Sequence, residues 1–478
     1  MWTGADGIID DCTFDENRAK VNGGAIFMQG STMGNCSNLT ISNVIFNDNF
    51  AGVNGGAVDW YKGAHDCTLE NATFNDNIAN RSGGAVFWYG EHGSIKNASF
   101  TNNQALGLVN ASSSYGFNTT GGDGGAIMWT GSNGIIDGCE FTENYAAARG
   151  GAIFLQGSVE GNCTNVTVSN SKFEKNKAET NGGAINFFRG AVDGRILNST
   201  FKSNQALTGI GGAVVWRGYN GTIDGATFDD NNASKADAGA VYIEGDSCEL
   251  LNTEFNSNLA GDDGGAVYWT GNYGKLYNLT ANNNRGISAG TSHSKGGTII
   301  ITGSNMTVDL VEVRDGYAEV EGGGLFLTGN NVNITNVQFY NCFVNDESAD
   351  NVGGALDIIG NNTRLINATI EYSRAMYGGA IDWAGDDGYA CNIHVNYNNA
   401  NEDGAALRIV GDRFEIENSE FNYNEAGDDG GAIYWSGNDG IARNLTFYDN
   451  KGISSGDSSS NGGTMAIIGS NITIEDSS

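Results

Sequence analysis

Two aspartates and an arginine share one position of a sequence repeat and could carry out acid–base chemistry. Asp357, Asp382 and Arg408 each stand two residues after an alanine in three successive repeats. If those repeats stack as neighbouring strands, the two carboxylates lie roughly 5 Å apart. Glycosidases use such a pair of carboxyl groups as general acid and as nucleophile or base. The alternative is that these charges are solvated on the surface of a sheet. Because the chain shows no further catalytic signature, we expect a protein that is not an enzyme.

Aromatic side chains occupy the same repeat position elsewhere in the chain. If this position faces outward on a flat sheet, the aromatic side chains form an exposed stripe that could bind sugars or pack against another copy. The alternative is ordinary stacking between neighbouring strands of one sheet. The residues of this predicted stripe are Phe27, Phe87, Phe154, Tyr242, Tyr268, Phe326 and Tyr434.

Acidic bends between repeats offer a weak metal-binding pattern. They place two adjacent aspartates beside the glycine pair, at Asp262 and Asp263 and again at Asp428 and Asp429. Calcium takes several oxygen ligands, so Ca²⁺ is a possible ligand, although solvated turns explain the same pattern. We otherwise expect no cofactor. The sequence contains no Cys-x-x-Cys motif of the kind that indicates a zinc site.

Cysteine and asparagine residues suggest two kinds of covalent modification. Cys36 and Cys67 fall at near-equivalent places in adjacent repeats and could form a disulfide, whereas most of the other cysteines are expected to be buried free thiols. Many Asn-x-Ser/Thr triplets arise because an asparagine column runs beside threonine-rich strands. Asn110 and Asn118 lie in a longer insertion and are the better candidates for glycosylation.

Two motifs alternate along the chain and must build the elements that position these residues. One is Gly-Gly-Ala followed by an aliphatic residue, and the other is Phe-x-x-Asn. The glycine motif recurs about every 29 residues, a period typical of solenoids and other repeat architectures. The full copies begin at Gly23, Gly55, Gly83, Gly124, Gly150, Gly182, Gly211, Gly264, Gly353, Gly378 and Gly430, and degenerate copies begin at Ala238, Gly296, Gly322, Gly404 and Gly462.

Apolar and polar residues alternate after each glycine motif, as they do in β-strands. The first position after the alanine is aliphatic, and the third holds tryptophan or another large apolar residue in most repeats. Stacked repeats would gather these positions into inward columns, with all eight tryptophans in one of them. The sequence therefore predicts an all-β, right-handed parallel β-helix of about sixteen coils, occupying residues 1–478 as one continuous array.

Composition narrows the choice of partners. The chain has 56 acidic and 24 basic residues, a net charge of −32, no proline and no apolar run long enough for a membrane helix. Such a surface repels nucleic acid and anionic lipid. We therefore expect neither nucleic-acid binding nor direct membrane insertion by this segment.

The alternating motifs resemble the repeats of polymorphic outer-membrane proteins, which also occur in adhesin-like surface proteins of methanogenic archaea and other microbes. The resemblance covers nearly the whole chain and implies an extracellular protein at the cell surface that takes part in adhesion. Its implied partners are host or cell-surface glycans or proteins.

The repeats at the two ends predict that the chain is a piece of a longer protein. Residues 1–63 resemble residues 128–190, and residues 427–478 resemble residues 261–312. Because coils copied from different places must stack compatibly, we expect copies of the chain to associate end to end or side by side. The favoured function is an adhesin-like structural surface rod, and the alternative is a polysaccharide-degrading β-helical enzyme.

Overall fold

The protein is an all-β repeat structure that divides into two units. The computed structural model describes residues 1–30, 36–61, 63–108, 121–157, 163–288, 293–345, 351–453 and 461–478. These residues form β-strands and no helix, so none of them belongs to a helix that could cross a membrane. The first unit comprises Met1–Ala236 and Ala240–Cys248, and the second comprises Asp237–Gly239 and Glu249–Ser478. One continuous array over residues 1–478 stays a prediction.

Each turn of the chain, called a coil here, passes through sheet B, then sheet C, then sheet A. Within each unit the described strands pair in parallel with their equivalents in the next coil. In the first unit, sheet B receives two short strands per coil. Sheet A contains Ile26–Met28, Val58–Trp60, Val86–Trp88, Ile127–Trp129, Ile153–Leu155, Ile185–Phe187, Val214–Trp216 and Val241–Ile243. Sheet B contains Ile8–Asp10, Thr13–Asp15, Thr40–Ser42, Ile45–Asn47, Thr68–Glu70, Thr73–Asn75, Ser94–Lys96, Ser99–Thr101, Ile135–Asp137, Glu140–Thr142, Thr167–Ser169, Lys172–Glu174, Arg195–Leu197, Thr200–Lys202, Thr222–Asp224 and Thr227–Asp229. Sheet C contains Arg18–Ala19, Phe50–Ala51, Ile78–Ala79, Gln104–Ala105, Tyr145–Ala146, Lys177–Ala178, Gln205–Ala206 and Asn232–Ala233.

In the second unit the two short strands of sheet B merge into one longer strand in most coils. Sheet A contains Val267–Trp269, Ile299–Ile301, Leu325–Leu327, Leu356–Ile358, Ile381–Trp383, Leu407–Ile409, Ile433–Trp435 and Met465–Ile467. Sheet B contains Glu249–Asn256, Lys275–Asn282, Thr307–Arg314, Asn333–Tyr340, Arg364–Glu371, Tyr389–Asn396, Glu415–Asn422, Ile441–Tyr448 and Thr473–Glu475. Sheet C contains Leu259–Ala260, Arg285–Gly286, Tyr317–Ala318, Phe343–Val344, Arg374–Ala375, Asn399–Ala400, Glu425–Ala426 and Lys451–Gly452.

Columns of identical side chains fill the interior. The Trp88 ring stacks on Trp60 with a centroid distance of 4.2 Å and on Trp129 at 4.7 Å, and all three tryptophans are buried. Phenylalanines of sheet B stack in the same way, at 4.7 Å between Phe46 and Phe74. The prediction that every tryptophan lies inside is wrong for Trp2. This residue is 36% exposed, although it pairs in parallel with Met28 and its ring lies beside Gly7, because in the described residues a neighbouring coil packs on only one face of the ring.

The glycine pair marks the bend from sheet C to sheet A, and both glycines are needed there. Gly83 has φ of 65°, in the left-handed region that glycine adopts without cost. Gly84 lies against the next coil so closely that a Cβ atom would stand 1.9 Å from the carbonyl oxygen of Gly125. These two constraints explain why glycine recurs at both positions of the motif.

Two asparagine columns run along the coils, and they have different roles. The column three residues after the phenylalanine is buried: Asn103 Nδ2 donates to Asn144 Oδ1 at 3.0 Å, and Asn144 Nδ2 donates to the carbonyl oxygen of Phe100 at 2.9 Å. The column three residues before it is exposed and has positive φ, as at Asn71 with φ of 49°. Both columns link successive coils through side-chain amides, as at Asn392 Nδ2 and Asn367 Oδ1, 2.8 Å apart in the exposed column. The buried column also binds backbone groups inside the coil, whereas the exposed one forms a bend within sheet B.

The predicted fold class is confirmed. Parallel pairing between successive coils, inward tryptophan and phenylalanine columns and the absence of helix from the described residues together define a parallel β-helix.

Candidate functional site

The three candidate catalytic residues are brought together on the outer surface of sheet A in the second unit. Asp357 is in register with Asp382, and Asp382 is in register with Arg408. Each is the middle residue of a three-residue strand whose other two side chains face the interior. The side chains of Asp357, Asp382 and Arg408 therefore form one outward column, which we call the acidic pair and its arginine.

The two aspartates of the pair have different environments. Arg408 Nη1 donates to Asp382 Oδ1 at 2.8 Å. Neither carboxylate oxygen of Asp357 has a hydrogen-bond partner in the structure, although its side chain is buried and only 1% of the residue is exposed. Burial raises the pKa of Asp357 well above its ordinary value, and the neighbouring charge of Asp382 raises it further. Burial also raises the pKa of Asp382, while Arg408 opposes that rise.

Further charged side chains lie beside the pair. Lys295 Nζ forms an ion pair with Glu321 Oε2 at 2.7 Å. The charge of Glu321 raises the pKa of Asp357, and the charge of Lys295 lowers it. The Lys295 ammonium also lies 5.2 Å from the centre of the Phe326 ring. The Arg408 guanidinium lies 5.2 Å from the centre of the Tyr377 ring. The acidic pair is thus surrounded by cations and aromatic rings.

This arrangement has the acid–base chemistry of a hydrolytic site. A protonated Asp357 could donate a proton, and an Asp382 carboxylate held by Arg408 could act as base or nucleophile, because the two environments separate the protonation behaviour of the two groups. The oxygens of Asp357 are inaccessible to solvent in the structure. A substrate would reach them only after the surrounding side chains move aside.

The predicted exposed aromatic stripe is wrong at three of its positions. Phe87 and Phe154 are 2% and 0% exposed, and Phe326 is also buried. Phe154 is covered because the Arg149 guanidinium lies 4.5 Å from the centre of its ring, and Phe87 packs in the same cluster. The other members of the column, Phe27, Tyr242, Tyr268 and Tyr434, are half-buried.

A different aromatic column is exposed, and it was not predicted from the sequence. Five tyrosines of successive coils in the second unit form one row beside the corner between sheets B and C, with ring centroids 5.1, 5.2, 4.9 and 5.2 Å apart. The central three follow the last residue of their sheet B strands, whereas the two end tyrosines are themselves the last residues of their strands. Each is 39–60% exposed. The central three rings stack with interplanar angles of 4° and 1°, and the two end rings turn edge-on. This tyrosine ladder consists of Tyr340, Tyr372, Tyr397, Tyr423 and Tyr448.

The central three tyrosines of the ladder have a strained backbone. Tyr372, Tyr397 and Tyr423 have φ of 58°, 58° and 56°, a region where asparagine and glycine are much more favourable than an aromatic residue. In two preceding coils of the same unit this corner is occupied by Asn283 and Asn341. Local backbone preference therefore does not explain why aromatic residues stand at these three corners.

The acidic bends use their carboxylates within the protein. Asp263 Oδ1 accepts a hydrogen bond from the Lys295 backbone N–H at 2.8 Å, and Asp429 Oδ1 accepts one from the Asn461 backbone. The other predicted calcium ligands, Asp262 and Asp428, are adjacent to them in the chain. In the described part of the chain, no three or more His, Cys, Asp and Glu side chains are grouped so that they could hold a metal ion.

The proposed Cys36–Cys67 disulfide is not formed. Both cysteines are buried free thiols, and Cys67 Sγ donates to backbone carbonyl oxygens, that of His65 at 3.2 Å and that of Cys36 at 3.8 Å. Burial raises the pKa of the Cys36 thiol to about 11. The glycosylation candidates Asn110 and Asn118 lie outside the described residues.

Comparison with protein families confirms the resemblance seen in the repeats. Residues 33–228 match the family described as a right handed beta helix region, and residues 11–29 match the Chlamydia polymorphic membrane protein repeat. The first match confirms the predicted right-handed helix. No curated protein sequence matches the chain.

Several solved structures are similar to the chain at low sequence identity. The tailspike protein of E. coli bacteriophage HK620, solved as a double mutant, is 10% identical, with 91% of this chain and 73% of that chain covered and a TM-score of 0.45. A mannuronic acid specific polysaccharide family 6 lyase from human gut microbiota is 11% identical, with coverages of 87% and 81% and a TM-score of 0.41. PfbA, a surface adhesin of Streptococcus pneumoniae, is 11% identical, with coverages of 91% and 84% and a TM-score of 0.27.

These likenesses correct one prediction. We expected a protein that is not an enzyme and kept a polysaccharide-degrading enzyme as the alternative, yet the solved structures that resemble the chain include polysaccharide lyases and a glucanase. The expectation that the protein is not an enzyme is therefore wrong as a conclusion from the sequence.

Proposed function

We propose that this chain is an adhesin-like surface protein that holds its partner against the tyrosine ladder. The observation that carries this proposal is the ladder itself: five aromatic rings, each 39–60% exposed, form one row on a protein of net charge −32. A continuous exposed aromatic surface on an otherwise polar protein is typical of an interaction site.

The surface or extracellular location is supported by the polymorphic membrane protein repeat at residues 11–29. The acidic surface suits a protein that is exposed to solvent and avoids anionic lipid. Attachment through a regular column also suits the fold, because each coil repeats the same contact about 5 Å further along the sheet.

Attachment assays on two kinds of surface test the proposal. Beads coated with the protein would be applied to a glycan array and to a surface coated with the same protein. We expect retention on at least one of them, and its loss in a triple variant, Tyr372→Asn with Tyr397→Asn and Tyr423→Asn. Tyr273→Asn is the matched control, since Tyr273 is 66% exposed with φ of 59° but lies outside the ladder. Retention on neither surface, or equal retention of the triple variant, would contradict the proposal.

A second function, cleavage of a polysaccharide, is favoured by the state of Asp357. Its buried carboxyl group without a partner, next to an arginine-bound Asp382, has the protonation pattern of a general acid beside a base. Asp357 would protonate the leaving glycosidic oxygen while Asp382 activates water or attacks the sugar.

Incubation of the protein with neutral and anionic polysaccharides, followed by measurement of new reducing ends and of unsaturated products, tests the second function. Reducing ends without unsaturation are expected for hydrolysis, and they should disappear in Asp357→Asn and in Asp382→Asn. The Tyr273→Asn variant should keep any activity. If no polysaccharide is cleaved, or if both aspartate variants cleave as fast as the original protein, this function is wrong.

A further inference from the structure

The tyrosine ladder is nearly symmetric about its central ring. On one side of Tyr397 lies the stacked Tyr372 at 5.2 Å, and on the other side the stacked Tyr423 at 4.9 Å. Beyond them, Tyr340 and Tyr448 both turn edge-on, at interplanar angles of 63° and 76°. The pattern of rings therefore reads alike in both directions along the row from Tyr397.

Charges beside the ladder follow the same symmetry with opposite signs. In sheet C, Arg374 is in register with Asn399, and Asn399 is in register with Glu425. Both charged side chains are exposed and lie two residues after a ladder tyrosine. The central coil therefore has a neutral residue, with a cation one coil before it and an anion one coil after it.

The ring orientation limits what can bind. Because the central three rings stack on one another, their faces are covered and the ladder presents ring edges and hydroxyl groups. A sugar that needs an open aromatic face finds none in this stack. A second β-helix repeats at ~4.8 Å, the strand spacing, so its own ladder can meet each ring with the same contact.

We infer that the ladder binds the ladder of a second copy of this chain, antiparallel, about a two-fold axis at Tyr397. This inference rests on the proposed function and names the partner. In that arrangement Arg374 meets the partner's Glu425, and the reverse contact forms by symmetry, as isologous interfaces require. A parallel arrangement would instead place like charges together.

The exposed area of the two ladders approaches the lower limit of specific interfaces. An aromatic side chain buries about 150–250 Å² when it is fully covered. With 39–60% of each of the five tyrosines exposed, two ladders together bury roughly 700–1,100 Å². Specific interfaces begin near ~1,000 Å² of total buried area, and the flanking charged residues add to the ladder.

Sedimentation velocity of the whole chain over a wide concentration range tests the inference. We expect a monomer–dimer equilibrium for the original protein and a monomer for the triple variant Tyr372→Asn, Tyr397→Asn, Tyr423→Asn. Asparagine suits the left-handed backbone at these positions, so this variant should melt no earlier than the original protein. A circular dichroism melt confirms that it is folded.

A charge exchange tests the antiparallel register. Arg374→Glu or Glu425→Arg alone should weaken dimerisation about tenfold, because each places two like-charged contacts in the symmetric dimer. The double variant Arg374→Glu, Glu425→Arg should restore the original dimer. Failure of the double variant to restore it would overturn the antiparallel arrangement.

The two proposals fail in distinguishable ways. A protein that is monomeric at every concentration, or a triple variant that dimerises as strongly as the original, overturns the inference. If such a protein still binds a glycan array through the ladder, the adhesive function stands and its partner is a glycan. If it binds neither surface, both proposals are wrong.

Discussion

Asp357 is in register with Asp382 on the next coil, and only Asp382 has an arginine partner, Arg408, at 2.8 Å. Two aspartates at equivalent positions therefore contribute to the free energy of unfolding with opposite signs. Burying a carboxyl group without a hydrogen-bond partner costs free energy, whereas removing one member of a buried ion pair leaves the other charge unpaired.

The two aspartates should therefore respond oppositely to the same substitution. Asp357→Asn is expected to raise the free energy of unfolding at neutral pH by about 1 kcal/mol, since it replaces an unpartnered acid by a neutral group. Asp382→Asn is expected to lower it by about 3 kcal/mol, because Arg408 loses its partner. Urea unfolding of both variants measures the difference. Equal changes of the same sign would show that their environments are alike.

The tryptophan column should contribute to stability locally. Trp88→Ala is expected to cost about 3–5 kcal/mol, because it opens a cavity between the Trp60 and Trp129 rings. Hydrogen exchange should accelerate in that coil and its neighbours while distant coils of the first unit stay protected, since each repeat contacts only its neighbours. Trp2→Ala, at a partly exposed member of the column, is the control and should cost less than about 1 kcal/mol. Acceleration throughout the unit would contradict local opening.

The buried asparagine column should matter more to stability than a half-buried asparagine such as Asn47, which lies outside both columns. Asn144→Ala removes the acceptor of the Asn103 backbone N–H and Nδ2 groups and the donor to the Phe100 carbonyl oxygen. Leaving these buried groups unpaired is expected to cost about 2–4 kcal/mol in the thermal or urea unfolding of the first unit. Asn47→Ala removes only a side-chain contact to Asn75 and should cost less than about 1 kcal/mol. A similar cost for both variants would mean that the column does not link the coils.

Asp263 should make the second unit more stable in mild acid. Its pKa is raised from 3.8 to about 6, chiefly by burial. Between those pH values the folded chain holds a proton that the unfolded chain has released, so the free energy of unfolding falls as pH rises through the window and stays lower above about pH 6.

Asp263→Asn isolates this effect, because the amide oxygen can still accept the Lys295 N–H while carrying no charge. The variant is expected to be roughly 1–2 kcal/mol more stable than the original protein near pH 7.5, allowing for partial solvent screening, and equally stable near pH 4. Urea titrations at the two pH values measure this. A variant that is less stable at neutral pH would show that the charge of Asp263 is favourable.

The sequence was sufficient to predict the fold because its inward positions are almost invariant. The glycine pair, the aliphatic residue and tryptophan of sheet A, and the phenylalanine of sheet B each repeat in register, so any stacking that aligns one column aligns the others. Asp357, Asp382 and Arg408 could be placed on one column by the same argument. Their different environments could not, because the pKa of Asp357 also depends on Lys295 and Glu321, which precede sheet A strands of other coils.

The exposed aromatic surface was predicted at the wrong place for a similar reason. Outward positions of a strand are exposed only if nothing from the next bend covers them, and Arg149 covers Phe154. The tyrosine ladder occupies a corner instead. Its signal was present in the sequence: Tyr423 is the third residue of a Phe-x-x-Asn motif, and Tyr397 and Tyr372 hold the equivalent places. Aligning corner residues as well as strand residues would have found it.

Hydroxyl-radical footprinting most directly tests the claim that the tyrosine ladder is the contact surface. It compares the protein free in solution with the protein attached to a glycan array or to a surface coated with the same protein. We expect the rate of oxidation of Tyr372, Tyr397 and Tyr423 to decrease when the protein is attached. The exposed Tyr219 and Tyr273 should be oxidised equally fast in both states. Ladder tyrosines that are oxidised as fast in the attached protein as in the free protein would contradict the claim that the ladder is the contact surface.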